Sequence, residues 1–339
     1  CYLAKVSSRH ASLALEVLSD MVMDASLKEN DIKRERAVIM EEIKMYRDLP
    51  NHHVHDILSK LMWPKNPLGF SVAGDADSVS SITRKDLLRH KKANYAPRNI
   101  AIVLCGNLKQ SSAIEKTKEI FQKKVKVEST PIIKFNKTQV APQVKILNKG
   151  TEQTRLCMGL HAPGRLNKDK FILALIHIIL GANMSSRLFE NVREKKALAY
   201  EIGTDVKHYS DTGAFIVNAG IDHKKAREAM SIIVKELRNL KEKLVPHGEL
   251  KRAKEYCRVQ LSLALEDTLD HMLWLGEHVI MTDKTPDKKD IIKKVMAVSS
   301  ADIKRVAKNI FTSSGANLAI IGPLKDKEQK NMEKELNDM

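Results

Sequence analysis

The chain has 339 residues, of which 43% are hydrophobic and 29% charged, with a formal net charge of +16. This length exceeds the size at which one hydrophobic core usually stops growing, so it predicts two domains. No apolar run approaches the roughly 18 residues that a membrane span needs. Aromatic residues make up only 4% and do not interleave with basic clusters, which disfavours a nucleic-acid partner and favours lysine-rich, solvated helix faces.

Four cysteines are spread along the chain without a CxxC pair, so they predict neither a zinc–thiolate site nor a disulfide framework. They are Cys1, Cys105, Cys157 and Cys257. We interpret them as reduced, mostly structural thiols. An acylated Cys1 at the start of a mature lipoprotein is the alternative, although a chain shortened at its N-terminus would begin in the same way.

A helix predicted over residues 30–47 carries the clearest chemical signal. Glu35 and Glu42 are seven residues apart, or two helical turns, so both carboxylates project from one stripe. Val38 and Ile43 share or flank this stripe, which predicts partial burial, and a buried carboxylate needs a partner or a metal. The alternative is a pair of solvated glutamates in salt bridges with the basic residues around them.

Three neighbouring histidines, His52, His53 and His55, follow close to Asp48. Such spacing can hold a transition metal. Solvated loop residues just after Pro50 explain the same pattern more simply, so these histidines are not counted among the candidate ligands.

An internal repeat organises the chain. Residues 31–34 (DIKR) resemble residues 249–252 (ELKR) at an offset of 218. Further matches pair residues 80–86 (SSITRKD) with residues 299–302 (SSAD), residues 99–103 with 317–321, and Gly106 with Gly322. The sequence therefore predicts an α+β protein of two homologous domains, each a mostly antiparallel sheet packed with helices, related by internal duplication.

The two copies differ in how much of each is present. In the first, a strand over residues 2–6 precedes a helix through Leu15 and Leu18, whereas in the second a strand over residues 215–219 precedes a helix through Met230 and Ile233. The second copy has further elements before these: a strand after Gln153, helices over residues 171–180 and 187–195, and a strand from Ala199. The first copy lacks these roughly sixty residues, so we expect the chain to be shortened at its N-terminus.

Prolines, lysines and threonines in residues 131–150 predict a linker with an entering strand. We therefore expect the first domain at residues 1–130 and the second at residues 151–339. At the offset of 218, Glu35 falls on Ala253 and Glu42 on Gln260. The scaffold is repeated without these acids, which makes both of them candidates for function.

Residues 34–43 (RERAVIMEEI), followed by DLP at 48–50, resemble the segment that supplies the third zinc ligand in the pitrilysin/insulinase family of metallopeptidases. Residues 67–69 (PLG) and 94–99 (NYAPRN) also resemble this family. Its members bind zinc with two histidines of an H-x-x-E-H helix, whose glutamate is the general base. The resemblance implies that Glu42 is the third ligand of one Zn²⁺ and that Glu35 is a supporting acid. No H-x-x-E-H is present, so the two histidine ligands are expected upstream of Cys1.

Residues 181–189 (GANMSSRLF), 192–194 (VRE) and 198–200 (LAY) resemble the family segment that carries an arginine and a tyrosine seven residues apart. By that resemblance Arg193 and Tyr200 contact the substrate backbone or the developing oxyanion. A guanidinium and a phenol can both donate to a carbonyl oxygen as charge builds on it. Without the resemblance, Arg193 would be interpreted as a surface arginine and Tyr200 as a packed strand residue.

The resemblance implies a zinc-dependent endopeptidase that hydrolyses peptides or unstructured protein segments in a clamshell chamber. The peptide would add as a strand to a sheet edge of the first domain. With one zinc ligand of three, these residues alone are expected to be inactive. The alternative is a non-catalytic subunit that pairs with an active partner, although Glu35, Glu42, Arg193 and Tyr200 together favour an enzyme. The family also implies a homodimer, or a heterodimer with a relative.

Overall fold

The computed structural model describes residues 1–121, 132–324 and 326–339 and shows a mixed α+β fold. Contacts divide the chain into two compact units. Unit 1 comprises Cys1–Ile43, Gly74–Ile132 and Leu261–Pro286, and unit 2 comprises Lys44–Ala73, Ile133–Gln260 and Asp287–Met339. The domain boundaries expected at residues 130 and 150 remain a prediction, and residues 122–131, which include the start of the expected linker, lie outside the described residues.

The described residues form thirteen α-helices. Those before residue 122 are α1 (Ala11–Met23), α2 (Glu29–Asp48), α3 (Pro50–Met62), α4 (Ala76–Ser81), α5 (Arg84–Asn94) and α6 (Gln110–Ile120). Those that follow are α7 (Lys170–Leu180), α8 (Ala226–Glu242), α9 (His247–Ala264), α10 (Thr268–Thr282), α11 (Lys288–Ala297), α12 (Ser300–Ile310) and α13 (Asp326–Asn337). Over the described part of the chain, no helix is both long and apolar enough to cross a membrane.

Unit 2 contains a five-stranded sheet with the strand order β1-β5-β2-β4-β3. Its strands are β1 (Gln143–Asn148), β2 (Thr154–Pro163), β3 (Ala199–His208), β4 (Thr212–Ile221) and β5 (Ala316–Gly322). β1 and β5 are parallel, and the other neighbouring strands are antiparallel. β4 is buried along its length except at Asn218, as its continuous apolar sequence predicts, and β3 forms one edge of the sheet.

Helices cover both faces of this sheet. On one face α7, α8 and α12 contribute Leu173, Leu237 and Val306 to the main hydrophobic core. On the other face lies α3, a helix of the first repeat, which buries Leu58 and Met62 against β2 and β5. A Cβ at Gly159 would lie only 2.5 Å from Met62 Sδ, so a glycine at this position lets α3 approach the sheet.

The helices follow the internal repeat. α2 and α9 begin at Glu29 and His247, and α3 and α10 begin at Pro50 and Thr268, so both pairs are offset by 218. α3 belongs to unit 2 although it lies in the first repeat, and α10 belongs to unit 1 although it lies in the second. Each repeat therefore gives one helix to the unit that is built mostly from the other repeat.

The capping boxes correct one match within the repeat. Thr83 and Asp86 close the N-terminus of α5, and Ser299 and Asp302 close that of α12 in the same way. Thr83 is therefore the counterpart of Ser299 and Asp86 that of Asp302, both with an offset of 216, so the predicted match of the two segments is confirmed at Asp86 and only its alignment at the serines shifts by three residues.

The strand predicted over residues 2–6 of the first repeat is not formed, and residues 99–103, the counterpart of β5, form no strand either. Within the described residues, residues 2–6 make no backbone hydrogen bond, and Asn99 and Ile100 donate only within a turn, to Ala96 and Pro97. A strand is defined by a ladder of backbone hydrogen bonds with a neighbour, and neither segment has one. The helix predicted over residues 187–195 forms over residues 187–194, and its part Phe189–Glu194 is π-helical.

Candidate functional site

Glu35 and Glu42 lie on α2, within unit 1, and both side chains are exposed. The partial burial predicted for their stripe is limited to Ile43, which is buried, and Ile39, which is half-buried, whereas Val38 is 51% exposed and neither carboxylate is covered. Eleven of the 20 residues of α2 are charged, so most of its surface is suited to water rather than to a core.

The basic neighbours of these glutamates are engaged elsewhere. Arg34 donates to Asp31 at 2.5 Å, and Arg36 donates to the backbone oxygen of Ile82 at 2.6 Å. Among the described residues, neither Glu35 nor Glu42 forms a hydrogen bond or an ion pair. The solvated-glutamate alternative is thus right about exposure, whereas the salt bridges that it expects are not formed.

A zinc centre needs three or four protein ligands. In the described ranges, no group of three or more His, Cys, Asp or Glu side chains is arranged to hold a metal ion. Glu42 offers a single carboxylate. The described residues therefore do not, by themselves, fit a zinc centre.

The three neighbouring histidines lie in the first half of α3 and have different partners. The His52 ring lies 5.2 Å from the Tyr46 ring, measured between centroids. His55 Nδ1 lies 3.5 Å from Cys157 Sγ, and the same thiol donates to Asn218 Oδ1 at 3.0 Å. Burial raises the pKa of the Cys157 thiol, so this cysteine is a packed thiol rather than a nucleophile.

Arg193 lies in the π-helical turn Phe189–Glu194 of unit 2. Such turns are rare and occur frequently at functional sites. The backbone then reverses through Ala197, which donates to the Arg193 carbonyl oxygen at 2.9 Å and has a positive φ of 49°. Leu198 donates to the Val192 oxygen at 3.0 Å, and these two hydrogen bonds fix the turn that leads into β3.

Tyr200 is the extra residue of a β-bulge at the start of β3. Ala199 pairs with Ile221 and Glu201 pairs with Gly220, which leaves Tyr200 without a partner on β4. Bulges re-aim side chains and are frequent beside active sites. The Tyr200 side chain is 74% exposed, so its interpretation as a packed strand residue does not hold.

Arg193 and Tyr200 line the same cavity, which opens broadly to solvent and has a volume of about 780 Å³. The guanidinium carbon of Arg193 lies 5.6 Å from the centroid of the Tyr200 ring. The other lining residues come from three neighbouring segments: Glu152 and Gln153; Glu194 and Ala197 to Ala199; Gly220 and Asp222 to Lys225. Their roles as substrate contacts remain predictions, but the two side chains share one site.

Several polar groups of this cavity are occupied by structural hydrogen bonds. Asp222 accepts from the Lys224 backbone N–H at 2.9 Å, and His223 Nδ1 lies 2.9 Å from Thr154 Oγ1. Lys225 donates to the Ala197 oxygen at 3.2 Å. Within the described ranges, the polar contact of Arg193 is a long one of 4.0 Å with Glu194, so its N–H donors remain available for a ligand oxygen.

The sequence analysis missed one part of this cavity. The turn His223–Lys225 directly follows β4, and it brings a histidine and two lysines beside Arg193. A run of polar residues directly after a strand is its only signal in the sequence. A guanidinium, a phenol and lysine ammonium groups around one opening can bind the carbonyl or carboxylate oxygens of a peptide.

Two protein-family models match the chain. The model described as "Peptidase M16 inactive domain" matches residues 81–257, and the model described as "Insulinase (Peptidase family M16)" matches residues 1–76. The first match includes Arg193 and Tyr200, and the second includes Glu35 and Glu42.

Curated relatives match nearly the whole chain. An uncharacterized zinc protease of Bacillus subtilis, YmxG, is 32% identical over 95% of this chain and 78% of its own length. An uncharacterized zinc protease of Streptomyces coelicolor is 28% identical over 98% of this chain and 73% of its own length. Among solved structures, a protease from Helicobacter pylori superimposes with a TM-score of 0.86 at 20% identity, covering 94% of this chain and 78% of that one. That likeness shows the same fold.

Proposed function

Since this chain belongs to the insulinase family, peptidase family M16, we propose that it acts in zinc-dependent hydrolysis of peptides or unstructured protein segments. In this proposal Arg193 and Tyr200 hold the peptide backbone. The observation that supports it most directly is their shared open cavity, with an exposed phenol on a bulge and a guanidinium with available donors.

The chemistry of the two side chains suits an electrophilic role. Both side chains can donate hydrogen bonds, and neither is buried in a hydrophobic core. A donor aimed at a peptide carbonyl binds more strongly as negative charge develops on that oxygen, and only such strengthening accelerates the reaction. Arg193 and Tyr200 would therefore orient the peptide and stabilise the charge that forms on it.

Glu42 would contribute one zinc ligand, and Glu35 would act as a supporting acid behind it. The described residues do not complete such a centre, so the proposal requires at least two further protein ligands from outside them. The two carboxylates on one stripe of α2 are exposed and have no partner in the described part of the chain, which is compatible with that arrangement.

The proposal is tested by peptide binding, which needs no complete zinc centre. A fluorescein-labelled unstructured peptide is titrated with the chain and with the Arg193→Gln and Tyr200→Phe variants, and fluorescence anisotropy is read. We expect each variant to weaken binding by about fivefold, the effect of one hydrogen bond to a polar ligand. Equal affinities for all three proteins would remove the proposed role of the cavity.

Lys195→Gln is the matched control. Lys195 belongs to the same local segment and carries the same charge as Arg193, but it does not line the cavity and is paired with Glu190 at 2.8 Å. If Lys195→Gln weakens binding as much as Arg193→Gln does, the peptide is responding to general positive charge and not to this site.

A second candidate function is a non-catalytic subunit that pairs with an active relative or with a second copy. The match of residues 81–257 to a family model described as an inactive domain favours it. The two functions differ in whether hydrolysis requires another chain. Zinc-dependent cleavage of the labelled peptide by the complete protein alone would favour the enzyme, and cleavage only after an active relative is added would favour the subunit.

A further inference from the structure

Three residues on neighbouring strands form one row across the sheet beside the cavity. Arg155 on β2 pairs with Gly220 on β4, and Gly220 pairs in turn with Glu201 on β3. Neighbouring strands lie about 4.8 Å apart, so Arg155 and Glu201 are separated by about 10 Å of backbone. Their side chains nevertheless meet, because Arg155 Nη1 donates to Glu201 Oε2 at 3.0 Å.

This contact depends on the absence of a side chain in the middle of the row. A Cβ at Gly220 would lie 2.6 Å from Arg155 Nη1 and 3.1 Å from its Cζ, and 2.8 Å from Gln153 Oε1. The guanidinium therefore crosses β4 directly over Gly220. It is also well covered, since the Arg155 side chain is only 22% exposed, whereas Glu201 is 69% exposed.

Glu201 is the residue that directly follows the bulged Tyr200. Tyr200 has no partner on β4, so the regular pairing of the sheet does not hold it. The Glu201 side chain is instead held by Arg155, which lies two strands away on β2. We propose that Arg155 is a positioning residue, which acts through Glu201 and over Gly220 to fix the bulge that directs Tyr200 into the cavity.

This inference rests on the proposed role of Tyr200 in holding a peptide, but its first test is independent of that role. Hydrogen–deuterium exchange of the segment around Tyr200 and Glu201 is measured by mass spectrometry in the chain and in two variants. Arg155→Met keeps most of the apolar stem and removes the guanidinium, and Gly220→Ala displaces the guanidinium without changing a charge. We expect exchange in this segment to accelerate about two- to fivefold in both, the range that a partly exposed ion pair can produce.

Arg305→Met is the control, because Arg305 forms an exposed ion pair with Asp169 at 2.9 Å in the same unit but does not line the cavity. It should leave the exchange around Tyr200 unchanged. A double variant in which the two charges are swapped, Arg155→Glu with Glu201→Arg, should restore slow hydrogen–deuterium exchange if the ion pair itself holds the segment. An unchanged hydrogen–deuterium exchange rate in Arg155→Met, or fast exchange that persists in the charge-swapped double variant, would overturn the inference.

Peptide affinity separates this inference from the proposed function. If both hold, Arg155→Met weakens binding of the labelled peptide without lowering the melting temperature by more than the Arg305→Met control does. If exchange accelerates in Arg155→Met while Tyr200→Phe binds the peptide as tightly as the unchanged chain, Arg155 positions the bulge but the proposed function fails.

Discussion

Arg193 and Tyr200 are joined by a cation–π contact, with the guanidinium carbon 5.6 Å from the centroid of the tyrosine ring. The same guanidinium lies 4.7 Å from the centroid of the Phe189 ring. Two aromatic faces therefore restrict a long side chain that would otherwise sample many rotamers in solvent. The tyrosine ring and its hydroxyl can therefore be tested separately, since the ring contacts the arginine and the hydroxyl forms no hydrogen bond among the residues that the structure describes.

Tyr200→Phe and Tyr200→Leu should separate these roles. Because Tyr200 is 74% exposed, we expect both variants to unfold within about 0.5 kcal/mol of the unchanged chain. Peptide affinity should fall in the order Tyr, Phe, Leu, since Phe loses only the hydroxyl and Leu also loses the cation–π contact. Denaturant melts and anisotropy titrations check both parts. Tyr46→Phe, the same change at an exposed tyrosine of α2, is the control and should not alter affinity.

Ala197→Gly should stabilise unit 2. The φ of Ala197 is 49°, in the left-handed region that costs a residue with a Cβ about 1 kcal/mol and costs glycine little. The greater backbone entropy of glycine in the unfolded chain offsets part of this gain. We therefore expect the free energy of unfolding to rise by about 0.5 kcal/mol. Urea denaturation measures it. Ala301→Gly, near the start of α12 in a right-handed conformation, should instead lower stability.

Arg187→Met should be among the most destabilising single changes in unit 2. Arg187 donates to both oxygens of Glu249, at 2.8 and 2.7 Å, and lies 3.9 Å from Glu236, with only 19% of its side chain exposed. Its removal leaves two largely buried carboxylates without their cation, which should cost about 3 kcal/mol. The exposed pair between Arg258 and Glu255 offers the comparison, and Arg258→Met should cost less than about 1 kcal/mol.

His161 should make unit 2 sensitive to acid. Its ring stacks on Phe135 at 4.9 Å, and neither ring nitrogen has a hydrogen-bond partner in the described residues. Burial, with a smaller effect of Lys137, lowers the pKa of His161 from 6.5 to about 4. Between these two pH values the unfolded chain binds a proton that the folded chain does not, so stability is complete above pH 6.5 and declines as the pH falls towards 4.

His161→Phe should remove this loss. At pH 7.5 we expect the free energy of unfolding of the variant to equal or exceed that of the unchanged chain, since an apolar ring replaces one with two unsatisfied nitrogens. Near pH 4.5 its advantage should reach about 2 kcal/mol, allowing for partial solvent screening. Chemical denaturation across this pH range measures the difference, and parallel curves for the two proteins would contradict the prediction.

Zinc should bind weakly to these 339 residues. With Glu42 as the one predicted ligand and no group of three ligands in the described part of the chain, a chelator of micromolar affinity should remove all added zinc. Competition with a chromogenic chelator measures this, and Glu42→Gln should change nothing. Tight binding that is lost in Glu42→Gln would mean that the chain holds a complete centre.

The second repeat was predictable because each of its strands has a pairing partner within the chain. The strand over residues 215–219 and the strand from Ala199 form as neighbours, and the helices over residues 171–180 and through Met230 cover them. The segment over residues 2–6 has a similar apolar sequence, but it has no pairing partner among the described residues and forms no strand there. The sequence of a segment indicates its tendency to form a strand, and pairing with a neighbouring strand decides whether the strand forms.

The sequence could pair Arg193 with Tyr200, which line one cavity, but it could not predict their local geometry or the part that His223–Lys225 takes in the cavity. Family resemblance pointed to Arg193 and Tyr200, whereas the bulge depends on the register between β3 and β4, which no local pattern records. The expected burial of Glu35 and Glu42 failed for a related reason. An apolar position such as Val38 is buried only when another element covers it, and α2 leaves it 51% exposed.

The position of α3 also bears on how the protein folds while it is being made. Leu58 on this helix shares a hydrophobic cluster with Ala319 on β5, which lies 261 positions further along the chain. Since synthesis runs from the N-terminus, α3 leaves the ribosome long before the sheet that covers it, and such distant contacts form late. Until β5 emerges, the apolar face of α3 is uncovered and can bind other chains. We expect a chaperone to prevent aggregation mainly during this interval.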